Sequence, residues 1–331
     1  MSKTITAKIT GVGFYAPEKI LTNKDLEKMV DTSDEWIKTR TGMSERHIAD
    51  EKTATSDLAT KAALKAIEMA KITPEEIDVI IVGTVSPDKL FPSTACIVQN
   101  NIKASKAAAF DLSAACSGFI YGLTVARGLI ATKEAKTILV IGADCLSKLT
   151  DWTDRNTCIL FGDGAGAAIL QATEEDTGLL SSYIFSDATK ADLLQVPAGG
   201  TRVPFSEEVL KNRSNFIKME GNEVFKNAVK GMERAIDTAL LKVGLKYEDV
   251  SLVIPHQANI RIIESIAKRM KLPAEKVFIN LDKYGNTSSA SIPIAITEAY
   301  EQGRLKKGDI LVITAFGAGL TMGAAVIRWS I

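Results

Sequence analysis

The sequence contains no uninterrupted apolar run of about 18 residues, the length a bilayer-spanning helix needs. Its opening stretch, MSKTITAKITGVGFYAPEKI, has no apolar segment leading to a small-residue cleavage site. Neither a membrane span nor a secretory leader is therefore expected. Neither charge is in excess: 40 basic and 40 acidic side chains cancel, so no bulk field draws nucleic acid or a lipid surface. Cysteine is scarce. Cys96, Cys116, Cys145 and Cys158 form no C-x-x-C pair and no Cys/His ligand spacing, which argues against a metal site and a disulfide framework. Histidine is scarcer still, with only His47 and His256. What remains is of ordinary globular composition, 46% hydrophobic and 24% charged. The expectation is a cytoplasmic α/β protein with reduced thiols.

Short β-branched apolar runs ending in polar or glycine signals read as strands buried on both faces. They are IDVIIVGTV (77–85), TILVIGA (137–143), AGAAILQA (165–172), SLVIPH (251–256), DILVITAF (309–316) and GAAVIRWSI (323–331). Helical periodicity occupies 56–72 and 221–244 between them. Such alternation predicts a layered α/β architecture. The chain also resembles itself. TPEEIDVIIVGTV is similar to KYEDVSLVIPHQA, and KTILVIGADCLS to GDILVITAFGAG. The separations agree: Asp78 to Thr137 is 59 positions and Ser251 to Asp309 is 58. A duplicated unit follows, with halves 1–175 and 176–331 divided near the loop TEEDTG. The segment 186–216, with two prolines and adjacent glycines, is long for a connector and reads as a surface excursion able to cover a site.

Four stretches carry candidate chemistry. In AAAFDLSAACSGFIYGL, Cys116 falls between a strand-like run and a helix-compatible segment. A helix N-terminus lowers a thiol pKa, so a thiolate is expected there, although most free cysteines are simply small buried hydrophobes. His256 follows a strand directly in VIPHQANIRI, where α/β folds place ligand-facing residues. His47, in a polar stretch, is expected to face solvent. Asn286, in DKYGNTSSASIP, suits a turn, a helix cap or a donor to a developing oxyanion. The glycines of AFGAGLTMG serve a tight turn or present a backbone N–H, that of Ala318, beside that of Cys116 as an oxyanion hole.

Together DLSAACSGF, PHQANIRI, KYGNTSSASIP and AFGAGLTMG resemble, in order, the motifs of the 3-oxoacyl-[acyl-carrier-protein] synthase III family. TSDEWIKTRTGMSERHIA and LFGDGAGAAIL are similar too, so the resemblance spans essentially the whole chain. It implies a thiolase-like fold, layered α-β-α-β-α with two pseudo-repeated halves. It also implies a decarboxylating condensation of an acyl-CoA with malonyl-[acyl-carrier protein], without metal or redox cofactor, in a homodimer. By the same resemblance Cys116 is the nucleophile and His256 and Asn286 complete a triad. Phe91 lines the acyl pocket across the dimer, and Phe316 stands beside the thiol. Trp36 and Arg155 sandwich the adenine of coenzyme A, Arg40 and Thr41 add nucleotide contacts, and Asn259 supports the site. The acidic carrier protein would meet the basic side of 259–271, with Arg261, Lys268 and Arg269.

Rival condensing enzymes are less similar. Degradative thiolases have a second cysteine where AFGAGLTMG has none, and elongating enzymes have a second histidine where Asn286 stands. A homologue from another pathway, or a Cys-His acyl hydrolase, remains the alternative.

Overall fold

The computed structural model describes residues 5–331. Its first half is a five-stranded sheet built from β1 (Thr6–Tyr15), β2 (Val79–Gly83), β3 (Ala108–Leu112), β4 (Thr137–Cys145) and β5 (Asp163–Thr173), in the order β1-β5-β4-β2-β3. The second half is a four-stranded sheet of β6 (Gly178–Ser186), β7 (Leu252–Pro255), β8 (Ile310–Gly317) and β9 (Thr321–Arg328), in the order β7-β8-β9-β6. Read from the opposite edge, the second order repeats the first. Each sheet runs first strand, last strand, penultimate strand, second strand, with antiparallel, antiparallel and parallel pairings in turn. Even the edge strand β3 has a vestige in the second half, a single parallel bridge from Val253 to Val277.

Helices complete the layers. α1 (Asp34–Thr41) lies in the excursion after β1; α2 (Thr55–Ala70) and α3 (Thr94–Ile102) pack on the outer face of the first sheet. α4 (Gly118–Ala131) sits between the sheets. α5 (Gly221–Leu241) and α6 (Ile260–Arg269) cover the outer face of the second sheet. α7 (Ser291–Glu301) joins α4 in the middle layer, buried from Ser291 to Ala299. The periodicities explain these places. α5 has one apolar stripe, Val224, Ala228, Met232, Ala235 and Ala239, whereas SIPIAITEA is apolar nearly all round and suits a helix enclosed by two sheets. We propose residues 174–177, between β5 and β6, as the division into halves 1–175 and 176–331.

β1 and β6 were not evident from apolar runs. In β1, Gly11 and Gly13 stand where side chains would alternate. A Cβ at Gly11 would lie 2.2 Å from the Ala66 carbonyl oxygen, so the backbone of α2 takes the place of those side chains. No helix among the described residues is long and apolar enough to cross a membrane.

Candidate active site

Cys116 lies in a tight 3-10 turn, residues Ala115–Ser117, that leads from β3 into α4. Ala115 takes φ +46°, a left-handed conformation that costs a non-glycine residue on the order of 1 kcal/mol. Two side-chain bonds hold the turn: Thr321 Oγ1 donates to the Ala114 carbonyl (2.8 Å), and Ser117 Oγ donates to that of Thr321 (3.1 Å). They bind the loop 317–321 against it so closely that a Cβ at Gly317 would come 2.7 Å from the Cys116 amide nitrogen. Ala318 follows in the same loop, its carbonyl accepting from Thr321 Oγ1 at 3.1 Å.

His256 extends from the end of β7. Its N–H donates to the Thr314 carbonyl (2.8 Å), and its Nδ1 is paired with Ser291 Oγ at 2.6 Å. Burial alone lowers its pKa to about 3, so the ring is neutral at pH 7. Asn286 precedes α7. Its Oδ1 accepts from the Ser288 N–H at 2.9 Å, a local turn bond that fixes the amide plane and leaves Nδ2 as the donor. The turn and donor readings of this residue are thus compatible. Cys116, His256, Asn286 and Phe316 line one cavity of about 320 Å³.

At Cys116 two effects oppose each other. The thiol sits just before a helix, as a thiolate would require, but burial pushes it up to about 12, opposed by the Ser288 hydroxyl and reinforced by the charge of Asp144. The residue itself is half-buried and opens onto the cavity. His47 departs from expectation. Its ring stacks on Tyr284 at 5.2 Å and its Nδ1 bonds to the Pro17 carbonyl, so it is half-buried and joins the short strand Glu45–His47 to Tyr284 and to the turn at Pro17. Cys96, Cys145 and Cys158 are free, and the latter two are buried, as small hydrophobes are.

The cavity continues to Trp36, Arg40 and Thr41 at the end of α1. Arg155 and Arg40 both lie against the Trp36 indole, their guanidinium carbons 4.8 and 5.8 Å from its centroid. Arg155 also donates to the Asp31 carbonyl at 2.9 Å. The Thr41 hydroxyl is engaged within its own helix, donating to the Ile37 carbonyl at 2.7 Å. Asn259 caps α6, its Oδ1 accepting from Arg261 N–H, while its Nδ2 donates to the Arg40 carbonyl at 3.1 Å. It therefore ties the two walls of the cavity together. Leu194, inside the long excursion, and Met219, just after it, also line the cavity, and an ion pair from Arg213 to the buried Asp151 tethers that excursion. Local sequence gave no sign of these two lining residues, because a mixed-charge loop carries no periodicity.

Phe91 lies outside this cavity, 84% exposed beside Leu90 at 89%. Arg261 borders the cavity, Lys268 is exposed, and Arg269 is paired with Glu233.

Two family models match this chain. 3-Oxoacyl-[acyl-carrier-protein (ACP)] synthase III covers residues 110–188, and its C-terminal model covers 240–329. The beta-ketoacyl-[acyl-carrier-protein] synthase III of Caldanaerobacter subterraneus subsp. tengcongensis is 58% identical over 330 residues, 100% of both chains. Its namesake from Xanthomonas campestris pv. campestris is 51% identical over 99% of this chain and 100% of its own. The crystal structure of 3-oxoacyl-[acyl-carrier-protein] synthase III from Aquifex aeolicus superposes with a TM-score of 0.91 at 50% identity, covering 98% of this chain and 100% of that one. With such identity over the full length of its relatives, this chain belongs to the 3-oxoacyl-[acyl-carrier-protein] synthase III family.

Proposed function

We propose that the chain condenses an acyl-CoA with malonyl-[acyl-carrier protein] through an acyl-Cys116 intermediate, giving a 3-oxoacyl-[acyl-carrier protein], CoA and CO₂, and so initiates fatty-acid synthesis. The observation that carries this reading is the convergence of one thiol, one neutral imidazole and one oriented amide on a single cavity.

Cys116 Sγ attacks the thioester carbon, and the N–H groups of Cys116 and Ala318 receive the oxyanion. Coenzyme A leaves and the malonyl thioester enters. His256 acts as a donor. In this reading the Ser291 O–H donates to His256 Nδ1, to which its Oγ is paired at 2.6 Å, and the ring proton stays on Nε2. Nε2–H and Asn286 Nδ2 then hold the thioester oxygen while CO₂ departs and enolate charge develops on it. Each such donor is worth on the order of 10²–10³ in rate. The carbanion attacks acyl-Cys116, with Phe316 walling the reacting groups from water. Acyl-CoA and the carrier thioester are substrates in this scheme, and nothing in it calls for a metal or redox cofactor.

Coenzyme A is placed along Trp36, Arg40 and Thr41, with Asn259 holding the wall. For adenine to enter between Trp36 and Arg155, Arg155 must leave the ring, giving up a cation–π contact worth about 0.5–1 kcal/mol at an exposed site. Arg261 and Lys268 offer the carrier protein cations near the cavity, while Arg269 must first share its charge with Glu233. A homodimer is supported by the edge strand β3 with its exposed Phe110, and by Leu90 and Phe91, which a second copy would cover. Phe91 would then enter the partner's acyl pocket. Four free thiols suit the reducing cytoplasm.

The test uses radiolabelled acetyl-CoA with and without malonyl-[acyl-carrier protein], followed by digestion. Label is expected on the peptide containing Cys116 and, with the malonyl substrate, in a 3-oxoacyl product. Absence of label from that peptide refutes the scheme, and free acetate as main product would replace it with a hydrolase.

A further inference from the structure

Behind Asn286 lies a cation with no part in the chemistry above. Arg46 stands in the short strand Glu45–His47 and is 0% exposed, one of the largest side chains fully enclosed in the molecule. Neither of its hydrogen bonds goes to an acid. Nη1 donates to Asn23 Oδ1 at 2.6 Å, Nη2 donates to the Ile159 carbonyl, and Nε has no partner among the described residues. Burial lowers its pKa only to about 10, so the guanidinium stays charged at pH 7. Enclosing a cation whose acceptors are all neutral works against stability, and an apolar side chain of similar volume would fill the space at lower cost. Packing alone does not account for an arginine here.

What Arg46 grips does account for it. Residues 159–162 connect the short helix Arg155–Cys158 to β5 and lie in neither sheet. Yet this segment holds the backbone of Asn286 from both sides. The Asn286 N–H donates to the Leu160 carbonyl at 2.8 Å, and the Gly162 N–H donates to the Asn286 carbonyl at 3.0 Å. Phe161 and Asn286 thereby form an isolated parallel bridge. Where 159–162 stands sets where the Asn286 amide stands. Arg46 fixes that segment twice, by its bond to the Ile159 carbonyl and by its stem. A Cβ at Gly162 would lie 3.2 Å from Arg46 Cβ, and one at Gly285, where φ is +64°, 3.0 Å from Arg46 Cγ. The guanidinium is held in turn from the far side. Asn23, which accepts from Nη1, donates through Nδ2 to the Met43 carbonyl (2.8 Å) and to Asp34 Oδ1 (2.9 Å). A planar fork suits this task, because the bond to Asn23 orients the one to Ile159.

We propose that Arg46 is a positioning residue for the malonyl half-reaction: it holds segment 159–162, and through it the Asn286 amide, where the enolate oxygen develops. The other two members of the site are held by different bonds. The turn of Cys116 is fixed by Thr321 and Ser117, and His256 by Thr314 and Ser291. Arg46 enters none of these. Its loss therefore separates the two half-reactions, slowing decarboxylation and sparing acylation of Cys116.

This inference rests on Asn286 serving the malonyl step, and the test reads the two half-reactions apart in the full chain. One is label transfer to Cys116 at saturating acetyl-CoA; the other is release of labelled CO₂ from malonyl-[acyl-carrier protein]. Arg46→Met keeps a stem against Gly162 and Gly285 and removes both donors. Its kcat for CO₂ release is expected to fall by about 10²-fold, with KM for the carrier substrate and the acylation rate within about twofold of the unmodified protein. Arg46→Lys, which keeps a cation able to reach the Ile159 carbonyl, is expected to regain about tenfold. Equal loss in both half-reactions, as from an arginine that only supports the fold, overturns the proposal, and so does CO₂ release by Arg46→Met at the unmodified rate. Should Arg46→Met fail to fold by circular dichroism, Asn23→Ala decides by the same two outcomes, with a loss of about tenfold expected in CO₂ release alone. Asn286→Ala tells the two failures apart. If it releases CO₂ at the unmodified rate, the role given to Asn286 is at fault; if it does not while Arg46→Met does, only the present inference falls.

Discussion

The two central helices begin in the same way and end up with different tasks. Before α4, the turn Ala115–Ser117 starts from a residue at φ +46°; before α7, the turn Ser288–Ala290 starts from one at φ +52°. By this match Cys116 corresponds to Ser289. Cys116 opens onto the cavity, whereas Ser289 is 1% exposed and wedged among Gly83, Gly118 and Gly142. A duplicated backbone therefore gave the thiolase fold two equivalent positions, and packing made them unequal. Glycines seal one, while loops ending in His256 and Asn286 stand back from the other.

Substitutions can break that comparison, the largest effect coming at the open position. Cys116→Ala should abolish acyl-enzyme formation, with turnover falling by about 10³-fold or more in a coupled condensation assay. At the sealed position the cost falls on stability. A Cβ at Gly142 would lie 2.2 Å from the Ser289 carbonyl oxygen, so Gly142→Ala should cost about 3 kcal/mol in urea unfolding. The neutral ring of His256 gives a third effect, with a definite sign. Its folded pKa is about 3 against an ordinary 6.5, so below about pH 6.5 the unfolded chain binds the proton first. Stability present above that pH is lost as pH falls toward 3, by about 2 kcal/mol between pH 7 and 5. His256→Asn should flatten that part of the curve. The smallest effect is expected from Ser289→Ala. Its hydroxyl has no partner among the described residues, so removal should leave acylation intact and change stability by only about 1 kcal/mol, in the stabilising direction. A large loss of acylation in Ser289→Ala would show that the two turns are not functionally separate.

Much of this was readable in the sequence, for identifiable reasons. β2, β4, β7 and β8 are covered on both faces, so each is a short β-branched run, and their matched spacing revealed the duplication. β1 and β6 were hidden, the first because Gly11 and Gly13 yield their space to α2, the second because Ser181 and Ser182 interrupt its apolar pattern. The candidate site was legible as motifs in a family order, but its chemistry was not. Asn286 offered three local readings until the Ser288 N–H fixed its oxygen. The helix position that favours a thiolate at Cys116 is local, while the desolvation that opposes it depends on everything packed around the thiol.

By itself the sequence determined the strands covered on both faces, the duplication, the family and the few residues with suitable chemistry, since these follow from side-chain type and spacing. Only the tertiary structure decided which of two equivalent turns opens onto the cavity and which is sealed, how His256 and Asn286 are held, and that Asp144 is buried. Those properties arise between residues far apart in the chain, where burial sets the electrostatics, and no local pattern encodes them.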